Sequence, residues 1–156
     1  MPHLIDGNNL IGFTDPDNLN TPQGRINLIG KIQIFQAVSH KKVCLVFDGP
    51  PDPESDRLSS LSPSLRIVFP TPDQTADAVL MNLIRRSNET RGIFVVTSDR
   101  ELKEFAKKHK KQVINCRRFS RELKDAFRAY RHLAAEEKEE KDLTRLELDH
   151  WLDLFK

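Results

Sequence analysis

Two seven-residue runs, KVCLVFD at 42–48 and GIFVVTS at 92–98, are apolar almost without interruption. A strand with one face in water alternates apolar and polar positions, so strands lacking that alternation must be covered on both faces. Around them lie segments whose apolar residues recur three or four apart, the spacing of an amphipathic helix. Together these features predict an α/β fold: a mostly parallel sheet with helices on both faces, since parallel strands require long crossover connections. A chain of 156 residues suits one such domain and can bury roughly 70% of its unfolded surface.

The other elements follow the same reading. HLID (3–6) is a short buried strand, and Gly7 permits a tight exit from it. Residues 22–39 open on Pro22 and place Ile26, Ile29, Ile32 (or Leu28), Phe35 and Val38 on one helical face. Residues 49–64, GPPDPESDRLSSLSPS, read as a long exposed loop; loops of that length are usually functional or mobile. LRIVF (65–69) is a strand, and Thr75 caps a helix carrying Ala76, Val79, Leu80, Leu83 and Ile84 inward. A helix from Asp99 to His109, a fifth strand QVINC (112–116) and a helix from Ser120 to about Lys141 follow. Thr144 and Glu147 form a capping box before a last amphipathic helix with Leu146, Trp151, Leu154 and Phe155, and AAEEKEEKD (134–142) reads as a solvated helical stretch or hinge. The chain is thus expected to divide into a domain over 1–132 and an acidic helical extension over 133–156, packed on that domain.

Four aspartates stand where these strands end or a helix begins: Asp6, Asp48, Asp77 and Asp99. The carboxyl ends of parallel strands share one edge, where open α/β sheets build their sites, so residues distant in sequence can converge there. Converging carboxylates repel unless a hard cation neutralises them, and an oxygen-only donor set suits Mg²⁺ or Mn²⁺. That chemistry is a phosphodiesterase's, in which the metal polarises the phosphate. Taken singly, an aspartate after a strand is more often a turn residue or helix cap than a ligand. Asp99 can be read as the cap of its own helix, and Asp48 as part of the FDGPP turn. Four together, beside the Asn8–Asn9 pair, make coincidence a poor account.

Charge distribution says more than its total of +2. From Arg100 to Arg131 twelve Lys and Arg face four acids, whereas from Leu133 to Lys156 eight acids face four bases. A basic segment beside an acidic pocket suits a polyanion held by its phosphates. Candidate backbone contacts are Lys107, Lys108, Lys110 and Lys111 in KKHKK, with Arg117, Arg118 and Arg121 beyond; a solvated helix end accounts for KKHKK equally well.

Other chemistries lack a motif. There is no GxxxxGK[ST] or GxGxxG loop, and Ser39 and Ser98 lack a nucleophile-elbow context. His3, His40, His109, His132 and His150 have no metal-ligand spacing and are expected at the surface or its boundary. Cys44 and Cys116 are expected in strands as small core residues, not as a disulfide or zinc pair. No apolar run approaches about 20 residues and no leader precedes the first strand, so a cytoplasmic location is expected.

LIDGNNLIG, VFDGPP, IVFPTPDQTADAVLMNLI, VVTSDREL and FSRELK, in this order and spacing, resemble the YacP-like NYN family, a branch of the PIN-like nucleases related in fold to flap endonucleases. The resemblance covers roughly residues 3 to 130. It implies a three-layer α/β/α fold with a five-stranded sheet of order 3-2-1-4-5, and a metal site of endoribonuclease type. By its motifs, Asp6 matches the first acid and Asn9 the residue that supports it. Asp77 matches the acid of TAD and Asp99 that of TSD, with Ser98 orienting Asp99 or a bound water. Asp48 matches the acid shared with flap nucleases and is expected as an outer ligand. Asn8 stands where relatives often carry an aromatic residue. The expected protein is therefore a Mg²⁺- or Mn²⁺-dependent endoribonuclease, catalytic through Asp6, Asp77 and Asp99. Its expected partner is RNA, with translated or ribosome-associated RNA among the candidates, and it is expected as a monomer or weak homodimer with no membrane. Two other readings stand beside it: an RNA-binding module with little or no catalysis, and, suggested by VFDGPP, a structure-specific DNA nuclease. The second ranks lower because the chain lacks room for the helical clamp of those enzymes.

Overall fold

The computed structural model of the chain describes residues 2–87 and 92–154, with side-chain detail through 137. Five strands, β1 (His3–Asp6), β2 (Val43–Val46), β3 (Leu65–Val68), β4 (Phe94–Val96) and β5 (Gln112–Ile114), form one sheet in the order β3-β2-β1-β4-β5. Every pairing is parallel. The fold is the expected α/β architecture with the expected order. Its helices are α1 (Gly7–Thr14), α2 (Pro22–Ser39), α3 (Pro53–Ser60), α4 (Ala76–Arg86), α5 (Arg100–Lys108) and α6 (Cys116–Leu154).

Alternate strand residues feed two cores, as the two-residue period of a strand requires. Ile5, Leu45, Phe47, Val96 and Ile114 pack with Leu28, Ile29, Ile32, Phe35, Phe119 and Leu123 from α2 and α6. Leu4, Val46 and Val95 pack instead with Ala76, Leu80 and Ile84 of α4 and Leu102 and Ala106 of α5. Both faces of the central strands are therefore covered, which is why they read as continuous apolar runs.

Local chemistry accounts for several departures from the sequence reading. The 49–64 stretch is not all loop: Asp52 caps α3, accepting from the Ser55 amide at 2.8 Å, and Pro53 occupies the first turn, where a missing N–H costs nothing. Arg25 locks this connection to α2, donating to the Asp52 carboxylate at 2.8 Å and to the Pro50 and Asp48 carbonyls. Cys116 is not in a strand; Asn115 ends β5 and accepts from the Arg118 amide at 2.8 Å, starting α6 there. Both cysteines are free thiols, Cys116 buried and Cys44 half-buried. His3 is not a boundary residue but a core one, in ring contact with Phe35, Phe94 and Phe119.

The helix break expected before Thr144 is absent. α6 continues from 116 to 154 across that position and across residues 132 and 133, because AAEEKEEKD holds strong helix formers and neither Gly nor Pro. The side chains of Leu146, Trp151, Leu154 and Phe155 lie outside those described.

α1 follows β1 with no linker, so its first residue passes directly over β2. A Cβ on Gly7 would lie 2.7 Å from Phe47 Cδ1 and 2.8 Å from the Val46 carbonyl oxygen. Phe47 is fully buried and the carbonyl belongs to the sheet, so neither yields readily. Gly7→Ala is expected to destabilise the protein by about 1–3 kcal/mol through overpacking, read as a lower urea midpoint at unchanged slope. A midpoint equal to that of the parent protein would rule out this close approach.

Candidate active site

The register places the polar residues. Asp6 is level with Val46 on β2, and Ile5 with Val96 on β4. Asp6 therefore has Asp48 two residues beyond its partner on one side and Thr97 to Asp99 at the end of β4 on the other. All four belong to the carboxyl-end edge of the sheet, and α4 begins there with Asp77 in its first turn.

Asp6 is buried, 6% exposed, and accepts from the Thr97 hydroxyl at 3.1 Å. Burial pushes its carboxyl up from an ordinary 3.8 to about 6; the charges of Asp77 and Asp99 add to this, against the hydrogen bond from Thr97 and the Asn9 amide. Asp77 is exposed, yet its pKa is also raised, by partial burial first and then by Asp99, Glu101 and Asp48. The carboxylates thus sense one another across the strand edge. Asp99 caps α5, its Oδ1 accepting from the Glu101 and Leu102 amides at 2.9 and 3.5 Å; the cap leaves its second carboxylate oxygen unused. Among the described residues, no group of three His, Cys, Asp or Glu side chains is gathered as a ready-made metal ligand set.

The support around the acids is specific. Asn9 Oδ1 accepts from the Ser98 amide at 2.7 Å and from the Cys116 thiol at 3.1 Å, tying α1 to the end of β4 and the start of α6. Thr97 Oγ1 donates to Asp6 and accepts from the Asp99 amide at 3.1 Å, so one hydroxyl links two of the acids. The Ser98 hydroxyl accepts from the Cys116 amide at 3.0 Å and so serves the start of α6. Asn8 accepts from the Asp48 amide at 2.8 Å, which places the turn carrying that acid. Burial pushes the Cys116 thiol up, so it stays protonated as a donor and is no candidate nucleophile.

The basic candidates divide. Arg117, Arg118 and Arg121 are exposed on the first turns of α6, which starts beside Asn9. Lys107, Lys108, Lys110 and Lys111 lie at the far end of α5, with roughly 13 Å of helix between them and Asp99. Lys111 there donates to the Ser87 carbonyl at 3.2 Å. The sheet's opposite edge holds this lysine cluster.

Sequence reasoning overlooked Thr97, Arg25 and Glu101. VVTSD displays Thr97 openly, but only the parallel register aims its hydroxyl at Asp6. Glu101 carried a signal too, as an acid in the first turn of a capped helix. Lys103, whose charge acts on the Cys116 thiol, is a cation on α5 much nearer these acids than KKHKK.

The model of the YacP-like NYN domain matches residues 3–153, extending past the roughly 3–130 read from the motifs. A crystal structure of Rae1 (YacP) from Bacillus subtilis is similar, with a TM-score of 0.76 and 22% identity over 97% of this chain and 90% of that chain. A tryptophan-to-leucine mutant of the same protein gives 0.72 and 22% over 89% and 84%. No curated protein matches the chain. Among the described residues no helix is long and apolar enough to cross a membrane.

Proposed function

The chain belongs to the YacP-like NYN domain family, a family of nuclease-type fold, and from that premise we propose that it is a divalent-metal-dependent endoribonuclease working at Asp6, Asp77 and Asp99. One observation carries the reading: carboxylates from separate elements converge on one strand edge, where burial and then the charges of Asp77 and Asp99 raise the proton affinity of Asp6, and burial and then Asp99, Glu101 and Asp48 raise that of Asp77. A buried, half-willing acid such as Asp6 is poor design for stability alone. It makes sense where a cation removes the repulsion.

The donors fit Mg²⁺ or Mn²⁺, being all carboxylate oxygens. Asp6, Asp77 and Asp99 would hold the ion, with Asp48 and Glu101 outside them. Exposed Asp77 keeps the rotamer freedom to close on it. When bound, the metal would neutralise phosphate charge and act as Lewis acid on the scissile bond. Thr97 and Asn9 position the acids, while Arg117, Arg121 and Lys103 hold the RNA backbone near them; Arg118 instead faces the cavity beside His3, 3.8 Å from Glu122. The lysines of KKHKK, at the opposite edge, reach only a long or folded RNA. Translated or ribosome-associated RNA in the cytosol is the substrate class we assign, with the protein acting as a monomer or weak homodimer.

A second reading, an RNA-binding module that does not cut, draws on Asp99 already serving as a helix cap. The test is end-labelled single-stranded RNA, a DNA flap and ribosome-bound message, each incubated with the purified chain in Mg²⁺, Mn²⁺ or chelator. We expect RNA products in either metal and none in chelator. Bound but intact RNA under all three conditions would hand the assignment to the binding module.

A further inference from the structure

α1, α2 and α6 enclose a groove of about 580 Å³. Phe13 closes it from the end of α1 and Phe127 from α6, and these residues are 48% and 47% exposed. Around them stand Lys31, Lys124, Arg128 and Arg131, and the lining holds no carboxylate. Arg131 lies over the Phe127 ring at 5.9 Å. Asp125 approaches Arg128 to 3.8 Å at an exposed helix surface, where such pairs contribute little; it faces a different cavity, beside His3.

Two helices that start at the site, α1 and α6, run on into the groove. Phe13 is six residues along α1 from Gly7, about 9 Å. Ser120, in the groove wall, is four residues along α6 from Cys116, about 6 Å. Half-exposed aromatic faces interleaved with cations bind single-stranded nucleic acid by stacking and charge together. We propose that this groove carries an unpaired RNA strand leading away from the carboxylates, its bases on Phe13 and Phe127 and its phosphates on Lys31, Lys124, Arg128 and Arg131. The proposal rests on the nuclease reading in taking RNA as the occupant.

The experiment is fluorescence anisotropy with a fluorescein-labelled single-stranded oligoribonucleotide in chelator, over a range of salt. Lys124→Gln with Arg128→Gln is expected to weaken binding at least about tenfold and lower the salt slope by about 1.4. Phe127→Ala is expected to weaken it about tenfold with the slope unchanged. All three residues are exposed, and thermal melts check that the fold survives; Lys31→Gln, on α2, supplies an independent variant. Affinities equal to that of the parent protein in these variants overturn the proposal. So does binding of a polyglutamate peptide by the parent protein in the absence of RNA binding, which would give the groove to an acidic protein segment. Parallel cleavage assays separate the two readings. Normal cleavage with unchanged affinity removes the groove alone, whereas groove-dependent binding without metal-dependent cleavage removes the nuclease alone.

Discussion

Asp77→Asn is expected to abolish metal-dependent RNA cleavage, by at least ~100-fold, while leaving the fold intact. The substitution keeps the shape of the side chain and removes its charge. Asp77 is exposed in the first turn of α4, and the cap of that helix is the Thr75 hydroxyl, which accepts from Ala78 at 3.1 Å. Losing an anion at a helix start costs about 0.3–1 kcal/mol. Relief from Asp99, Glu101 and Asp48, which all push its pKa up, offsets that cost. Net stability should therefore move by less than about 1 kcal/mol. Single-turnover cleavage in Mn²⁺ and urea unfolding, measured on the same preparation, check both halves. Undiminished cleavage in a folded variant would remove Asp77 from the site.

Asp6→Asn is expected to stabilise the metal-free protein at pH 8 by about 2–3 kcal/mol. The folded carboxyl titrates near 6, against an ordinary 3.8. Between those values the folded state binds the proton more tightly than the unfolded chain does, so stability falls as pH rises through that window. Above pH 6 the full cost of a buried anion is present; below about pH 4 both states are protonated and the cost vanishes. An asparagine escapes it and can still accept the Thr97 hydroxyl through its amide oxygen. The advantage of the variant should hold from pH 8 to about 6, shrink as the pH falls below that, and all but disappear near 4. Because the same carboxylate is a proposed ligand, Mn²⁺ should raise the melting temperature of the parent protein more than that of the variant. A variant no more stable than its parent at pH 8 in chelator contradicts the strain assigned to Asp6.

Both predictions concern residues legible from motif and position, and neither concerns the groups that hold them. The apolar runs around Leu45 and Val95 announced strands covered on both faces, because burial on two sides removes the need for polar alternation. Thr75 announced its helix because a cap satisfies orphan amides locally. Asp52-Pro53 and Asn115 carried the same kind of signal for α3 and α6 and went unread, one within an apparent loop and one within an apparent strand. α1 offered less, since Gly7, Asn8 and Asn9 are poor helix formers and its first turn is held by contacts with β2 and β4.

What the sequence by itself determined is the class of fold, the number of strands and the four acids where strands end or a helix begins, since hydrophobic period and capping act over a few residues. The tertiary structure alone decided which of these groups meet. Parallel register set Thr97 against Asp6, burial by two layers raised the proton affinity of Asp6, and the direction of α5 carried the KKHKK lysines to the opposite edge. Those outcomes depend on pairings between residues up to 91 positions apart, and no local pattern encodes a distance of that kind.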